Sequence, residues 1–175
     1  MKANDVKQAE AYVQNLSSKI IFIIENDAAI EKKRNQLLGV FKENASILTI
    51  SRAALGSKWR TLNDRDKNRF TDAFTNYLVQ KYGRQFEEFN GARLTIERSI
   101  DAGKRGVLVH TRLIMPATSP ISVNWQVWQK NGTFKLIDII IEDISMLTME
   151  REEIKNRLTT HNGNINSLIN DLKLN

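Results

Sequence analysis

Asp138 stands out among the residues able to do chemistry: it is a carboxylate inside an apolar run, Leu136-Ile137-Asp138-Ile139-Ile140-Ile141. A carboxylate in that setting works either as a general acid or base tuned by its surroundings, or as a hydrogen-bond anchor. His110, on a predicted strand, is the other candidate base, but no acid or nucleophile is tied to it by spacing. Glu142-Asp143 and Glu150, Glu152 and Glu153 are rich in carboxylate, yet they sit where a helix is expected to begin, and acidic side chains stabilise its positive end. The recurrent catalytic patterns are missing: no Gly-x-Ser-x-Gly elbow, no His-Glu-x-x-His and no Gly-x-Gly-x-x-Gly. Gly103-Lys104-Arg105 lacks the leading Gly and trailing Ser or Thr of a phosphate-binding loop. With no cysteine there is no thiolate nucleophile, disulfide framework or thiolate zinc site, and His110 and His161 alone make no metal centre. Neither a catalytic set nor a metal is expected.

The chain has 175 residues, 41% hydrophobic and 26% charged, with a formal charge of +6. That places it among globular proteins rather than disordered ones, long enough to bury a core without disulfides. The basic excess is spread out: residues 1–90 carry 15 basic and 11 acidic side chains, and residues 91–175 carry 11 and 9. The densest basic stretch, Lys58 to Arg69, is interleaved with Asp64 and Asp66, as a solvated helix start would be. Nucleic acid is not an expected partner. The longest apolar run, Ile20 to Ile24, falls well short of the roughly 20 residues of a membrane span.

The elements that must position these side chains follow from periodicity. Val6, Ala9, Val13, Leu16, Ile20 and Ile23 share one helix face, and Asn26-Asp27 ends the helix. Ile30, Leu37, Leu38 and Phe41 mark a second helix, and Ile47 to Leu55 a third. Asn63 with Asp66 reads as an N-cap, followed by a long aromatic stripe: Phe70, Phe74, Tyr77, Leu78, Tyr82, Phe86 and Phe89. Gly83 within it predicts a bend or close packing. From Ala92 the period becomes two. Leu94, Ile96 and Ile100 alternate in one strand, and Val107, Val109, Thr111, Leu113 and Met115 form a face of the next. In the third strand Ile121, Val123, Trp125 and Val127 alternate with polar residues.

Lys130-Asn131-Gly132 is a hairpin turn. A two-residue Asn-Gly loop would put Asp138 beside Trp125 on the apolar face, so a three-residue loop pairing Trp125 with Ile137 and Val123 with Ile139 is expected. Asp138 then lies on the opposite face, near Asn124. A helix from about Glu150 to Thr160, a break at His161-Asn162-Gly163 and a last helix through Leu172 complete the chain. The expected fold is a single α+β domain over 1–175: a curved antiparallel sheet (92–144) packed on one face by an N-terminal helical layer (5–90) and closed by C-terminal helices (149–174).

Several segments, in order, resemble the MlaC-type (toluene-tolerance) family of periplasmic phospholipid-binding proteins. They are Leu55-Gly56-Ser57-Lys58-Trp59-Arg60, then Arg69-Phe70 with Phe74, Leu78 and Tyr82, then Val109-His110-Thr111. Phe134-Lys135-Leu136-Ile137-Asp138 and Glu142-Asp143-Ile144-Ser145 follow, with Arg151 and the closing Gly163, Leu168 and Leu172. The resemblance spans roughly residues 10–173. Phe134 replaces the family's usual Trp, Asp143 its usual Gly, and Ile154 stands where an aromatic is common.

The resemblance implies a non-enzymatic, monomeric carrier in the periplasm, its signal peptide removed, serving outer-membrane lipid asymmetry. Its implied ligand is phospholipid, with no other cofactor. Its implied partners are an outer-membrane lipoprotein–porin complex and an inner-membrane ABC transporter bearing an MCE-domain protein. A relative at hopanoid loci shares the pattern, so a hopanoid-related lipid is the alternative ligand, and a cone-shaped enzyme using Asp138 and His110 the alternative function. The expected lipid pocket lies between the sheet face (Val109, Leu113, Val123, Trp125, Val127, Ile137, Ile139, Ile141) and the helix stripe (Phe74, Tyr77, Leu78, Tyr82). The same two surfaces could instead close on each other as an ordinary core.

Overall fold

The computed structural model describes residues 3–174, with side chains from Asp5 onward apart from those of Phe86 and Glu87. The helices are α1 (Ala3–Glu25), α2 (Ile30–Asn44), α3 (Ile47–Leu55), α4 (Asp64–Gly83), α5 (Met146–Thr160) and α6 (Ile165–Lys173). The strands β1 (Arg93–Asp101), β2 (Val107–Ile114), β3 (Ile121–Lys130), β4 (Thr133–Ile141) and β5 (Ile144–Ser145) form one antiparallel sheet in chain order. This is the expected α+β architecture, an antiparallel sheet with helices packed on it. No helix among the described residues is long and apolar enough to cross a membrane.

Side-chain caps mark three of the helix starts. The side chains of Asn63, Ser145 and Asn164 accept hydrogen bonds from the backbone N–H groups of Asp66, Thr148 and Ser167, beginning α4, α5 and α6. Because Ser145 caps α5, that helix starts at Met146, a turn earlier than expected, and its first turn holds no acidic residue. Glu150 therefore does not serve the helix terminus. Of the bend or close packing expected at Gly83, there is no bend: α4 ends at Gly83, which is buried. Phe89 lies in a short 3-10 turn beyond, against the sheet core, while the Phe86 side chain lies outside the described residues.

Two bulges decide which side chains share a sheet face. In β1 the register shifts between Ile96 and Arg98, so Ser99 pairs with Val109 and Ile100 turns outward beside Leu108. The expected common face of Leu94, Ile96 and Ile100 is broken there. In the β3–β4 hairpin the loop is the two-residue Asn131-Gly132, both left-handed (φ 52° and 76°), with Lys130 opposite Thr133. The three-residue loop is thus corrected. Asp138 is kept off Trp125 by a bulge at Ile137: Val127 pairs with Leu136, Gln126 with Asp138, Trp125 with Ile139 and Val123 with Ile141. The bulge supplies the one-residue shift assigned to the turn. Asp138 faces away from Trp125 as expected, but its partner is Gln126 rather than Asn124.

The core has two main parts. Phe70, Phe74, Ile154, Leu168, Ile169 and Leu172 pack α3, α4, α5 and α6 together. Separately, α1 lays Ala9, Val13 and Leu16 on the sheet face of Val107, Val109 and Val127. A smaller group, Ile23, Leu37 and Val79, ties α1, α2 and α4. The aromatic stripe of α4 packs on its neighbouring helices α2, α3 and α6, and it is α1 that covers the sheet.

Candidate functional site

Between the two parts of the core lies a half-open cavity of about 170 Å³. Its walls come from six elements. Leu16 and Ile20 enter from α1, Leu37 and Val40 from α2, Phe74 and Leu78 from α4. Ile50 contributes from α3, Ile137, Ile139 and Ile141 from β4, Met146 and Leu147 from the start of α5. The β4 bulge matters here, because it lets consecutive residues Leu136 to Ile139 all border the space instead of every second one.

Six of the twelve expected pocket residues meet at this cavity: Ile137, Ile139, Ile141, Phe74, Leu78 and Tyr82. The others are elsewhere. Val109, Leu113, Val123, Trp125 and Val127 lie in the closed core beneath α1, where the Trp125 indole N–H donates to Thr111 Oγ1 at 3.1 Å. Thr111 in turn donates to the Val123 carbonyl. Tyr77 is 3% exposed and packs between α4, α5 and α6 instead. The cavity thus sits at the β4 end of the sheet. The α1 and α2 residues that wall it were legible as helix faces, but nothing in their spacing marked them as lining residues.

Four polar side chains reach the wall: Asn44, Tyr82, Asp138 and Glu150. Asn44 Nδ2 donates to the Val40 carbonyl at 2.8 Å, and the Tyr12 hydroxyl donates to the Asn44 carbonyl at 3.0 Å. Burial pushes the Tyr12 hydroxyl up to about 12, with Glu43 adding to the rise against a backbone hydrogen bond. Asp138 borders the cavity, yet both of its oxygens are engaged. Oδ2 accepts from Ser145 Oγ at 2.5 Å and Oδ1 from the Leu147 N–H at 2.9 Å, anchoring α5 to the sheet. His110 is on β2, opposite Asn124, two interstrand spacings of about 4.8 Å from β4. The fold does not bring the two together as an acid–base pair.

The fourth polar side chain, Glu150, is the site residue that sequence reasoning passed over as part of a helix start. It is 2% exposed, and its Oε1 accepts from Lys81 Nζ at 2.6 Å and from the Tyr82 hydroxyl. Burial and then Glu150 push the Tyr82 hydroxyl far above its usual range. Burial alone would lower Lys81, but hydrogen bonds with Glu150 and Tyr77 outweigh it and the net shift is upward. Lys81 also stands 5.5 Å from the Tyr77 ring and 5.4 Å from the Tyr82 ring, and Arg157 covers Tyr77 at 5.1 Å. The basic stretch Lys58–Arg69 is internally paired in part, with Lys67 at 3.5 Å from Asp64 and Arg69 at 3.0 Å from Asp66. No group of three or more metal-ligating side chains occurs among the described residues.

An almost wholly apolar cavity of this kind has the form of a binding site for a hydrocarbon. The comparison with known proteins bears on the same site. The chain shares its fold with a phospholipid-binding protein from Ralstonia solanacearum, solved in complex with a phospholipid (TM-score 0.81, 15% identity, 93% of each chain covered). Residues 14–174 match the family model described as MlaC protein, and with nearly the whole chain matched the protein belongs to the MlaC family.

Proposed function

We propose that this protein is a non-enzymatic carrier that binds phospholipid by its acyl moiety in the cavity between α1, α2, α4, β4 and α5. The observation that carries the reading is the cavity wall itself, which Phe74, Leu78, Ile137, Ile139 and Ile141 line together. Each methylene withdrawn from water contributes about 0.8 kcal/mol, so a chain of ~16 carbons cannot travel exposed. A carrier needs a dry slot and no catalytic group. In this reading the protein is a monomer that works in the periplasm, shuttling lipid between an outer-membrane lipoprotein–porin complex and an inner-membrane MCE-domain ABC transporter. The spread of its +6 charge over both halves of the chain suits a solubilising surface.

Mass spectrometry of an organic extract of the purified protein is the direct test, together with uptake of lipid from vesicles by delipidated protein. Co-purifying phospholipid, or saturable uptake at one site, is the expected result. Protein that is lipid-free as isolated and takes up nothing from vesicles overturns the reading.

A further inference from the structure

We infer that the outer face of the β1–β2 hairpin is a docking surface for an anionic phospholipid bilayer. The hairpin is remote from the cavity, and the inference stands on its own charge, facing and exposure.

Counted by halves of the chain the basic excess is even, but within the second half it is not. Residues 93–112 hold five basic and two acidic side chains, a net +3 of the chain's +6. The register gathers most of these on one side. Val107, Val109 and Leu113 of β2 point into the core beneath α1, so Leu108, His110, Arg112 and Ile114 point the other way. Opposite them in β1 stand Ile100, Arg98, Thr95 and Arg93. The bulge at Glu97 brings that carboxylate to the same side, where it accepts from Arg112 Nε at 2.9 Å.

Arg93 and Arg98 make no ion pair among the described residues, and neither do Lys104 and Arg105 in the connecting turn. That turn is held at the end of the face: Gln126 Nε2 donates to the Arg105 carbonyl at 3.0 Å, and the Gly103 N–H to Asp101 Oδ1 at 2.8 Å. All four cations are exposed, and α1, the helix packed on β1 and β2, lies on the opposite face. Ile100 and Ile114, 43% and 44% exposed, stand at the two ends of the outer face.

A bilayer is the occupant this layout fits. Exposed isoleucines among unpaired cations suit the boundary of headgroups and acyl chains, where apolar burial adds to the attraction of anionic lipid. Arg93 and Ile100 are about 20 Å apart along the strand, so the cations do not converge on one discrete ligand. Fluid anionic headgroups can gather beneath each of them. The β4 end of the sheet, where the cavity lies, is three interstrand spacings of about 4.8 Å from β1.

Co-sedimentation of the full chain with vesicles tests the inference. One set is pure phosphatidylcholine and the other equal parts phosphatidylcholine and phosphatidylglycerol, at about 50 mM and about 300 mM salt. Binding to the anionic vesicles at low salt is expected to be about 10-fold tighter than to neutral ones or more, and to be lost at high salt. Each basic side chain at such a surface contributes about fivefold. The fourfold variant Arg93→Gln, Arg98→Gln, Lys104→Gln, Arg105→Gln should therefore bind about 100-fold more weakly or less tightly still. A second fourfold variant, Lys7→Gln, Lys19→Gln, Lys32→Gln, Lys42→Gln, removes the same charge from exposed positions of α1 and α2 and should lose less than about fivefold. Equal losses in the two variants overturn the inference, since the protein's overall charge then accounts for the binding. No preference of the unaltered protein for anionic vesicles overturns it without any variant. So does binding of polyglutamate without binding of anionic vesicles, which would make the face a site for an acidic protein segment.

Discussion

Replacing Asp138 with Ala separates a structural from a catalytic carboxylate. The side chain is 9% exposed and accepts hydrogen bonds from Ser145 Oγ and the Leu147 N–H. Hydrogen bonds to charged groups contribute about 1.5–3 kcal/mol each. Two are lost, partly offset because the buried carboxylate no longer needs desolvating and the Leu147 N–H, in the first turn of α5, can be hydrated. The net loss is about 3 kcal/mol. For a chain of this size that lowers the melting temperature by roughly 6–12 °C. Asp138→Asn keeps one acceptor and should lose about half as much. Ser145 also caps Thr148 at 3.0 Å, so Asp138→Ala and Ser145→Ala act on one network and their effects should not add. Acyl-chain occupancy should fall in parallel, because Met146 and Leu147 wall the cavity. Thermal unfolding of the two single variants and the double variant supplies the data. An Asp138→Ala protein that melts with the unaltered one, or strictly additive losses, would refute the anchoring role.

Three further outcomes follow from the geometry. Gly106→Ala should destabilise the fold by more than about 3 kcal/mol in urea titration, because at φ 86° its Cβ would fall 2.1 Å from the Val127 carbonyl oxygen; Gly132→Ala, with open space around it, should lose only about 1–2 kcal/mol. Ile139→Gln should cut lipid occupancy severalfold in the folded protein, whereas Val123→Thr, in the closed core, should leave occupancy within about twofold while lowering stability, as mass spectrometry and thermal melts would show. All three tyrosines titrate upward, Tyr12 to about 12 and Tyr77 and Tyr82 also above the usual value, chiefly through burial. Their folded-state pKa values exceed the unfolded ones, so the stability linked to them is complete below pH 10 and falls as pH rises above 10, for Tyr12 through about 12. Absorbance at 295 nm should show little phenolate at pH 10 in the folded protein and normal titration in denaturant.

Much of the fold is legible in residue periodicity because each element is a local matter. Ala9, Val13 and Leu16 repeat at helical spacing, Asn63 caps α4 as its type predicts, and Val107 to Leu113 alternate with the pleat. The hairpin shows where local rules stop. Asp138 does lie off the Trp125 face as expected, yet it is buried there too, its oxygens bonded to Ser145 and Leu147; a longer turn and a bulge give the same facing, and only the bulge at Ile137 occurs.

The candidate site divides along the same line. Composition and pattern determined that the protein would offer apolar surfaces and no recognisable catalytic motif, since hydrophobic period and motif spacing belong to the chain itself. Which surfaces close and which stay apart belongs to packing between distant elements. Trp125 and Val123 are as apolar as Ile139, yet α1 seals the first two while the third borders the open cavity. Glu150 looks like one acidic residue of a helix start until α5 begins at Met146 and α4 brings Lys81 and Tyr82, some seventy residues away in sequence, to its carboxylate. That contact depends on how two helices dock, and docking is set by the whole core at once, so only the tertiary structure decided where the polar end of the cavity lies.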